Sequence, residues 1–302
     1  MNAYSDETAG LTTALQNARS ACSGISESMS RMKTMAGINT AVTGVGTVAG
    51  GVALGTGLAK AGVDEAQRDM IDKWMQENKN IPVEELLADE IKLKVQIDEL
   101  AKKTATKAKA DTLRDIENLE KKSKILGNVR TGTMAGAAVA DTAGTIMALN
   151  NRLDEALQNQ IENCIAAVDT LDNERMRARA ENTATEEELA VADKIISGCT
   201  DWKNVDLSSV DKRATGAAIS GGAGAVMGIA GTITSAKANS SEVRNDNTTE
   251  GKSKEQNLNT VSNVLAGGTT VASAVATVFN ATQISAIKKA VAAADKCEEA
   301  LR

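Results

Sequence analysis

Residues 34–59 read TMAGINTAVTGVGTVAGGVALGTGLA, 26 consecutive positions without a charge in a chain that is 25% charged. Three further stretches share this character. Residues 214–236 and 256–287 hold no charge, and 131–151 is broken only by Asp141. At about 1.5 Å of rise per residue, about 20 helical residues cross a hydrocarbon core of roughly 30 Å. Each stretch is therefore long enough to span a bilayer as a helix.

The four stretches are built from Gly, Ala, Thr and Ser rather than Leu, Ile and Phe, and no Trp or Tyr belt flanks them. In water, the six glycines between 44 and 57 would each cost a helix about 1 kcal/mol relative to Ala. In lipid the backbone must hydrogen-bond to itself, which restores the helix. Small residues recur every four positions at Gly132, Gly136, Ala140 and Gly144, and again at Gly216, Ser220, Gly224 and Gly228. The first stretch adds Gly46/Gly50 and Gly51/Gly55; the last carries Ser262, Ala266, Thr270 and Ala274. Such faces let helices approach closely where lipid gives no hydrophobic drive for association. These glycines are the expected helix-packing residues of the protein or of a homo-oligomer. Asp141 is the expected intramembrane polar residue, placed either on a proton or ion path or at a helix interface beside a Ser or Thr. The competing reading is a soluble bundle of tightly packed Ala/Gly helices.

Composition points the same way on fold class. Tyr4, Trp74, Trp202 and Phe279 are the only aromatic residues among 302, and Pro82 is the only proline. Sheets rely on aromatic and β-branched pairs and on frequent turn signals, whereas helices tolerate small side chains. An all-α protein is expected: four Gly/Ala-rich apolar helices with flanking amphipathic helices and a helical-hairpin arm.

The flanks bear this out as patterns. Leu11, Leu15, Ala18, Cys22, Ile25, Met29 and Met32 step by four and three, as do Leu153, Leu157, Ile161, Cys164, Val168 and Leu171. Each series makes one apolar stripe on a helix. Thr185 with Glu188 reads as a capping box that opens a helix striped by Leu189, Ala192, Ile196 and Cys199. Ile287, Ala290, Ala294, Cys297 and Leu301 complete the set. Residues 61–130 form a charged arm. Val63, Ala66, Met70 and Trp74 mark a first short helix there, and Pro82 with Glu84 and Glu85 marks a second start after Asn80. Leu86, Leu93 and Leu100 at heptad spacing, with Ile97, Ile116 and Leu119, suggest a coiled-coil hairpin that breaks within Lys102–Lys109. Residues 239–256 read as a polar loop. The order of segments suggests a weak duplication: 1–171 as a first unit, 172–184 as a linker, and 185–302 as a second, shorter unit.

Chemistry is sparse. With no histidine, the usual general base and the commonest metal ligand are missing. Gly44, Gly46 and Gly50 miss the dinucleotide fingerprint by one residue and follow no strand, and Lys60 lacks the spacing and the hydroxyl neighbour of a phosphate loop. A net charge of −6 without a basic stripe argues against nucleic acid. No catalytic residue, cofactor or metal is expected. The four cysteines stand 142, 35 and 98 residues apart, too scattered for a zinc motif. MNAYSDETAG lacks the basic and apolar regions of a cleavable signal peptide.

With four spans, the N-terminus, residues 152–213 and the C-terminus share one side, which holds all four cysteines. Lys and Arg are denser in 60–130 and 237–255, so the positive-inside bias puts the cysteines outside the cytoplasm, where they pair. Cys22 with Cys164 and Cys199 with Cys297 is the favoured connectivity, since each half returns its own two cysteine helices to one face. Four reduced, buried cysteines in a cytoplasmic bundle would fit the same stripes. The expected protein is thus a non-enzymatic membrane protein of a bacterial inner membrane. It would act in assembly or scaffolding, with the lipid bilayer as one partner and a protein bound through 61–130 as another. A secreted helical effector that inserts into and permeabilises membranes, and a soluble helical structural protein, are the alternatives.

Overall fold

The computed structural model describes residues 4–78, 89–103, 106–244 and 249–302. Among them every regular element is an α-helix: α1 (Tyr4–Cys22), α2 (Ile25–Glu77), α3 (Glu90–Ala101), α4 (Lys107–Asn150), α5 (Glu155–Glu181), α6 (Glu186–Lys203), α7 (Ser208–Ala238), α8 (Ser241–Arg244) and α9 (Thr249–Leu301). The all-α expectation holds. Helix ends follow local chemistry. Gly24 joins α1 to α2 at φ 80°, a conformation that a Cβ resists. Asp154 caps α5 by accepting from Leu157 N at 2.6 Å. Asn182, left-handed at φ 56° and ψ 39°, closes α5 and returns its N–H to Ala178 O. Thr185 and Glu188 form the expected reciprocal capping box on α6.

Several boundaries differ from the sequence reading. The short helix expected around Val63–Trp74 is the last third of α2, which runs unbroken for 53 residues. Its inner positions continue at alternating steps of three and four, so nothing in the side-chain pattern calls for a stop. Residues 172–181, expected to be linker, continue α5, and α9 begins at Thr249, inside the expected polar loop. The hairpin break falls between Ala101 and Lys107, within the expected interval. Asn80, Pro82, Glu84, Glu85 and Leu86 lie outside the described residues.

The chain resolves into two compact units, and they do not follow the duplicated halves. The first comprises residues 1–41, 144–219 and 276–302. Its core draws the expected stripes together: Leu11, Ala18 and Cys22 from α1, Ile161, Cys164 and Leu171 from α5, Leu189, Ala192 and Cys199 from α6, and Ile287, Ala294 and Cys297 from α9; on α6 it is Ile195 that is buried, while the expected Ile196 is only partly so. The second comprises residues 42–143 and 220–275. It contains the arm, whose own small core joins Trp74 to Leu93, Ile97, Leu113 and Ile116. It also contains the greater part of the four uncharged segments.

Candidate functional site: the polar interior of the uncharged segments

Where the uncharged segments run through the second unit, the polarity of an ordinary globular core is inverted. Val48 on α2, Val139 on α4, Val226 on α7 and Val264 on α9 are each 68–69% exposed. Val45, Val52, Leu58, Ile229, Ile233, Val271 and Val275 also point outward. The interior holds Asp141, Ser262 and Ser273 at 0% exposure, with Lys60 and Arg130 at 1%. Water-soluble domains bury their branched aliphatic residues and leave charges outside. Here the small and polar residues pack inward.

Asp141 lies where four helices meet. Ser273 Oγ on α9 donates to Asp141 Oδ2 at 2.7 Å, and also to Thr269 O one turn back at 2.8 Å. A methyl group on Gly46 of α2 would sit 2.5 Å from Asp141 Oδ1, and one on Gly224 of α7 would strike its other carboxylate oxygen. The two glycines therefore make the space that the carboxylate fills. Of the two roles the sequence allowed, the bond to Ser273 matches the helix-interface one.

Other close approaches repeat the theme. A methyl on Gly50 would lie 2.8 Å from Thr270 Oγ1, and one on Gly228 would lie 2.9 Å from the Ala138 methyl. One on Gly216, in the first unit, would meet the Phe279 ring at 2.9 Å. Gly144 is buried. Gly51, Gly55, Gly132 and Gly136 behave otherwise, since among the described residues no atom beyond their own stretch of helix comes within 4 Å of where their Cβ would be. A strict four-residue step rotates about 40° around a helix each time, because four residues exceed one turn of 3.6. The stripe that begins at Gly132 has thus turned inward only by Ala140 and Gly144. Gly57, Gly231 and Gly268, absent from the expected set, are packing positions; Gly57 faces Arg130 and Asn263, and Gly268 faces Met227.

Toward the arm the interior becomes ionic. Arg130 Nη2 donates to Asn259 O at 3.1 Å. Lys60 pairs with Asp64 at 2.6 Å and Glu255 at 3.4 Å, and Ser123 donates to the second oxygen of Asp64. These pairings fix the register: Asp141 with Gly46 and Arg130 with Gly57 place α2 antiparallel to α4, and Gly228 with Ala138 does the same for α7. Between the Asp141 and Arg130 layers, Ala53, Met134 and Ala266 form an apolar layer. Nearby in the arm, burial raises the Glu120 carboxyl above its usual range, against the pull of the Arg244 and Lys124 charges.

In the first unit the expected cysteine pairs are disulfides. Cys22–Cys164 joins α1 to α5 with Cα atoms 4.7 Å apart, and Cys199–Cys297 joins α6 to α9 at 4.3 Å. The Cys22, Cys164 and Cys297 sulfurs lie within 4.8 Å of one another, so the two bridges are neighbours in the apolar core. With all four sulfurs bonded in disulfides, none is a thiolate, the form of cysteine that ligates a metal.

Three helical stretches, Gly10–Glu77, Glu186–Ala238 and Glu250–Leu301, are long and apolar enough to cross a membrane, where four segments were expected. Only 28%, 39% and 28% of their most apolar windows is buried. The segment at 131–151 drops out because Asp141 and its many small residues lower its apolarity. No known protein family, curated protein or solved structure matches the chain. The molecule is therefore defined by its own architecture: an all-helical protein with three helices able to cross a membrane and two disulfides.

Proposed function

We propose that this chain is a non-enzymatic integral membrane protein that works in assembly or scaffolding. In this reading the uncharged segments lie in the bilayer, the disulfide-bonded unit stands on its extracytoplasmic side, and the charged arm is presented to a protein partner. The observation that carries it is the inverted polarity of the second unit. Outward Val and Ile suit hydrocarbon, while inward Gly, Ser and Asp allow close, hydrogen-bonded helix contacts. On α4 the outward apolar residues run from Ile125 to Leu149, roughly 36 Å of helix, enough to cross the hydrocarbon.

Covalent chemistry supports four crossings. Cys22 precedes the first uncharged segment and Cys164 follows the second. If only the first crossed, the two sulfurs would lie on opposite sides of the membrane. Their bond supports an even number of crossings between them, so that, if the first segment crosses, 131–151 crosses as well despite its low apolarity. Cys199–Cys297 imposes the same parity on the third and fourth segments. Carbonate washing of membranes from an expressing cell tests the reading. Retention in the pellet is expected, and extraction into the soluble fraction overturns it.

One feature favours a second reading, a secreted effector that inserts and permeabilises. Gly51, Gly55, Gly132 and Gly136 make no close contact within the chain and weaken the apolarity of the outward face, which eases passage through water. Dye release from liposomes by purified protein would single out that reading.

A further inference from the structure

We infer that the first unit carries a binding site for the phosphate of an anionic lipid headgroup, in a pocket of about 370 Å³ where α6 meets α7 and α9. Its two cations are Arg213 and Lys289, and Asn204, Asp206, Ser209 and Ser285 complete the polar lining. The inference rests on the membrane reading above.

Three observations converge on it. The first is position along the chain. Arg213 is the last charge before the uncharged run of α7, and Lys289 belongs to the Lys288–Lys289 pair that follows the uncharged run of α9. Leaving the uncharged run along α7 the chain meets Arg213, and along α9 the Lys288–Lys289 pair, whose second member lines the pocket; on the membrane reading this is the level of the lipid phosphates.

The second is the state of the cations. Among the described residues neither Arg213 nor Lys289 has a carboxylate partner within ion-pair distance. The Arg213 guanidinium is instead tethered by a 2.5 Å hydrogen bond from Nη1 to Thr282 O, leaving its other nitrogens to a ligand. A planar guanidinium held this way is suited to two phosphate oxygens, and Lys289 adds a movable point charge.

The third is the handling of the one acid in the lining. Asp206 accepts from Ser208 Oγ at 2.7 Å and from Ser209 N at 3.3 Å at the start of α7. The Ser208 hydrogen bond, first among its stabilising contacts, holds the carboxyl below its usual range, and the Lys212 charge adds to this. Its charge is thereby engaged with the helix start, and the pocket keeps a net positive lining.

The test uses the purified full-length protein in detergent, offered equimolar dioleoyl phosphatidylglycerol and phosphatidylcholine and examined by native mass spectrometry. Two cations less one engaged carboxylate should favour phosphatidylglycerol by roughly five-fold in the bound fraction. The double variant R213Q/K289Q leaves only the carboxylate and should bring the ratio to one or below, while K194Q, an exposed cation of the same unit away from the pocket, should leave it unchanged. K289Q alone guards against a folding artefact, because Lys289 is exposed and makes no hydrogen bond that α9 needs; it leaves the lining neutral and should bring the ratio to about one. Equal retention of both lipids by the unaltered protein overturns the site, as does a preference that survives the double variant. Displacement of the lipid by millimolar inorganic phosphate would assign the pocket to free phosphate and overturn the lipid source. Flotation with pure phosphatidylcholine vesicles is run alongside: protein that floats but does not discriminate sinks only the pocket, whereas protein that stays at the bottom sinks the membrane reading.

Discussion

At the scale of single residues, the decisive neighbours are Gly46, Gly224 and Asp141. Any side chain at either glycine must displace the carboxylate from the centre of four helices, so Gly224→Leu should destabilise the protein by at least the 1 to 3 kcal/mol typical of core overpacking. Gly136→Leu, which meets open space, should unfold within about 0.5 kcal/mol of the parent. Thermal unfolding in detergent compares them, and equal losses at both positions would defeat the packing scheme. From the sequence, both glycines sit on equally regular four-residue stripes. What separates them is the alternation of steps of three and four by which buried positions recur: on α4 at Arg130, Met134, Ala137, Asp141, Gly144 and Ala148, which passes over Gly136, on α7 at Ala217, Gly221, Gly224, Gly228, Gly231 and Ser235, and on α2 at Gly46, Gly50, Ala53, Gly57 and Lys60. That period is obscure in the sequence because the residues on it, Met134 apart, are small or polar. A reader searching for apolar periodicity is drawn to Val45, Val48 and Val52, which mark the outside.

At the scale of elements, the start of α6 was readable because its signal is short-ranged. Thr185 and Glu188 stand three residues apart and define the start of α6 by themselves; Thr185→Ala should cost about 1 kcal/mol of stability in chemical unfolding, and no change would mean the cap is redundant. The continuity of α2 was not readable, because the charged residues after Lys60 look like a new segment while the backbone only needs each turn to repeat the last. Glu120 on α4 offers a pH handle on the arm. A carboxyl whose pKa is raised by folding supports the fold while protonated. That contribution is present below its ordinary value of 4.5 and is lost as pH climbs through the raised value. Glu120→Gln should therefore stabilise the protein relative to the parent at about pH 7.5 and make little difference at about pH 4. Urea titrations at the two pH values measure this, and a larger gain at the lower pH would contradict the assigned cause.

For the whole molecule, the two disulfides have the farthest reach. Alkylation without prior reduction should modify none of the four cysteines, and mass spectrometry of the digest should recover the 22–164 and 199–297 pairs. Four modified thiols would remove the basis for the proposed orientation and crossing number. Replacing Cys22 and Cys164 by Ser should lower stability by about 2 to 5 kcal/mol, read as a fall in the unfolding midpoint of the full chain. The pairing was legible in the sequence because the order of segments returns each half to one face. That the bridges would be neighbours in one core was not, since it depends on how α1, α5, α6 and α9 pack.

The order of the bridges also bears on biogenesis. As the chain leaves the ribosome, Cys22 is delivered first and waits for Cys164; only later do Cys199 and then Cys297 arrive. At every moment the nearest available unpaired thiol is the native one. A vectorially oxidising machinery that joins cysteines in order of appearance would give the correct bridges at the first attempt. The protein should consequently mature without a disulfide-shuffling enzyme, and its pairing should be the same in a host that lacks one.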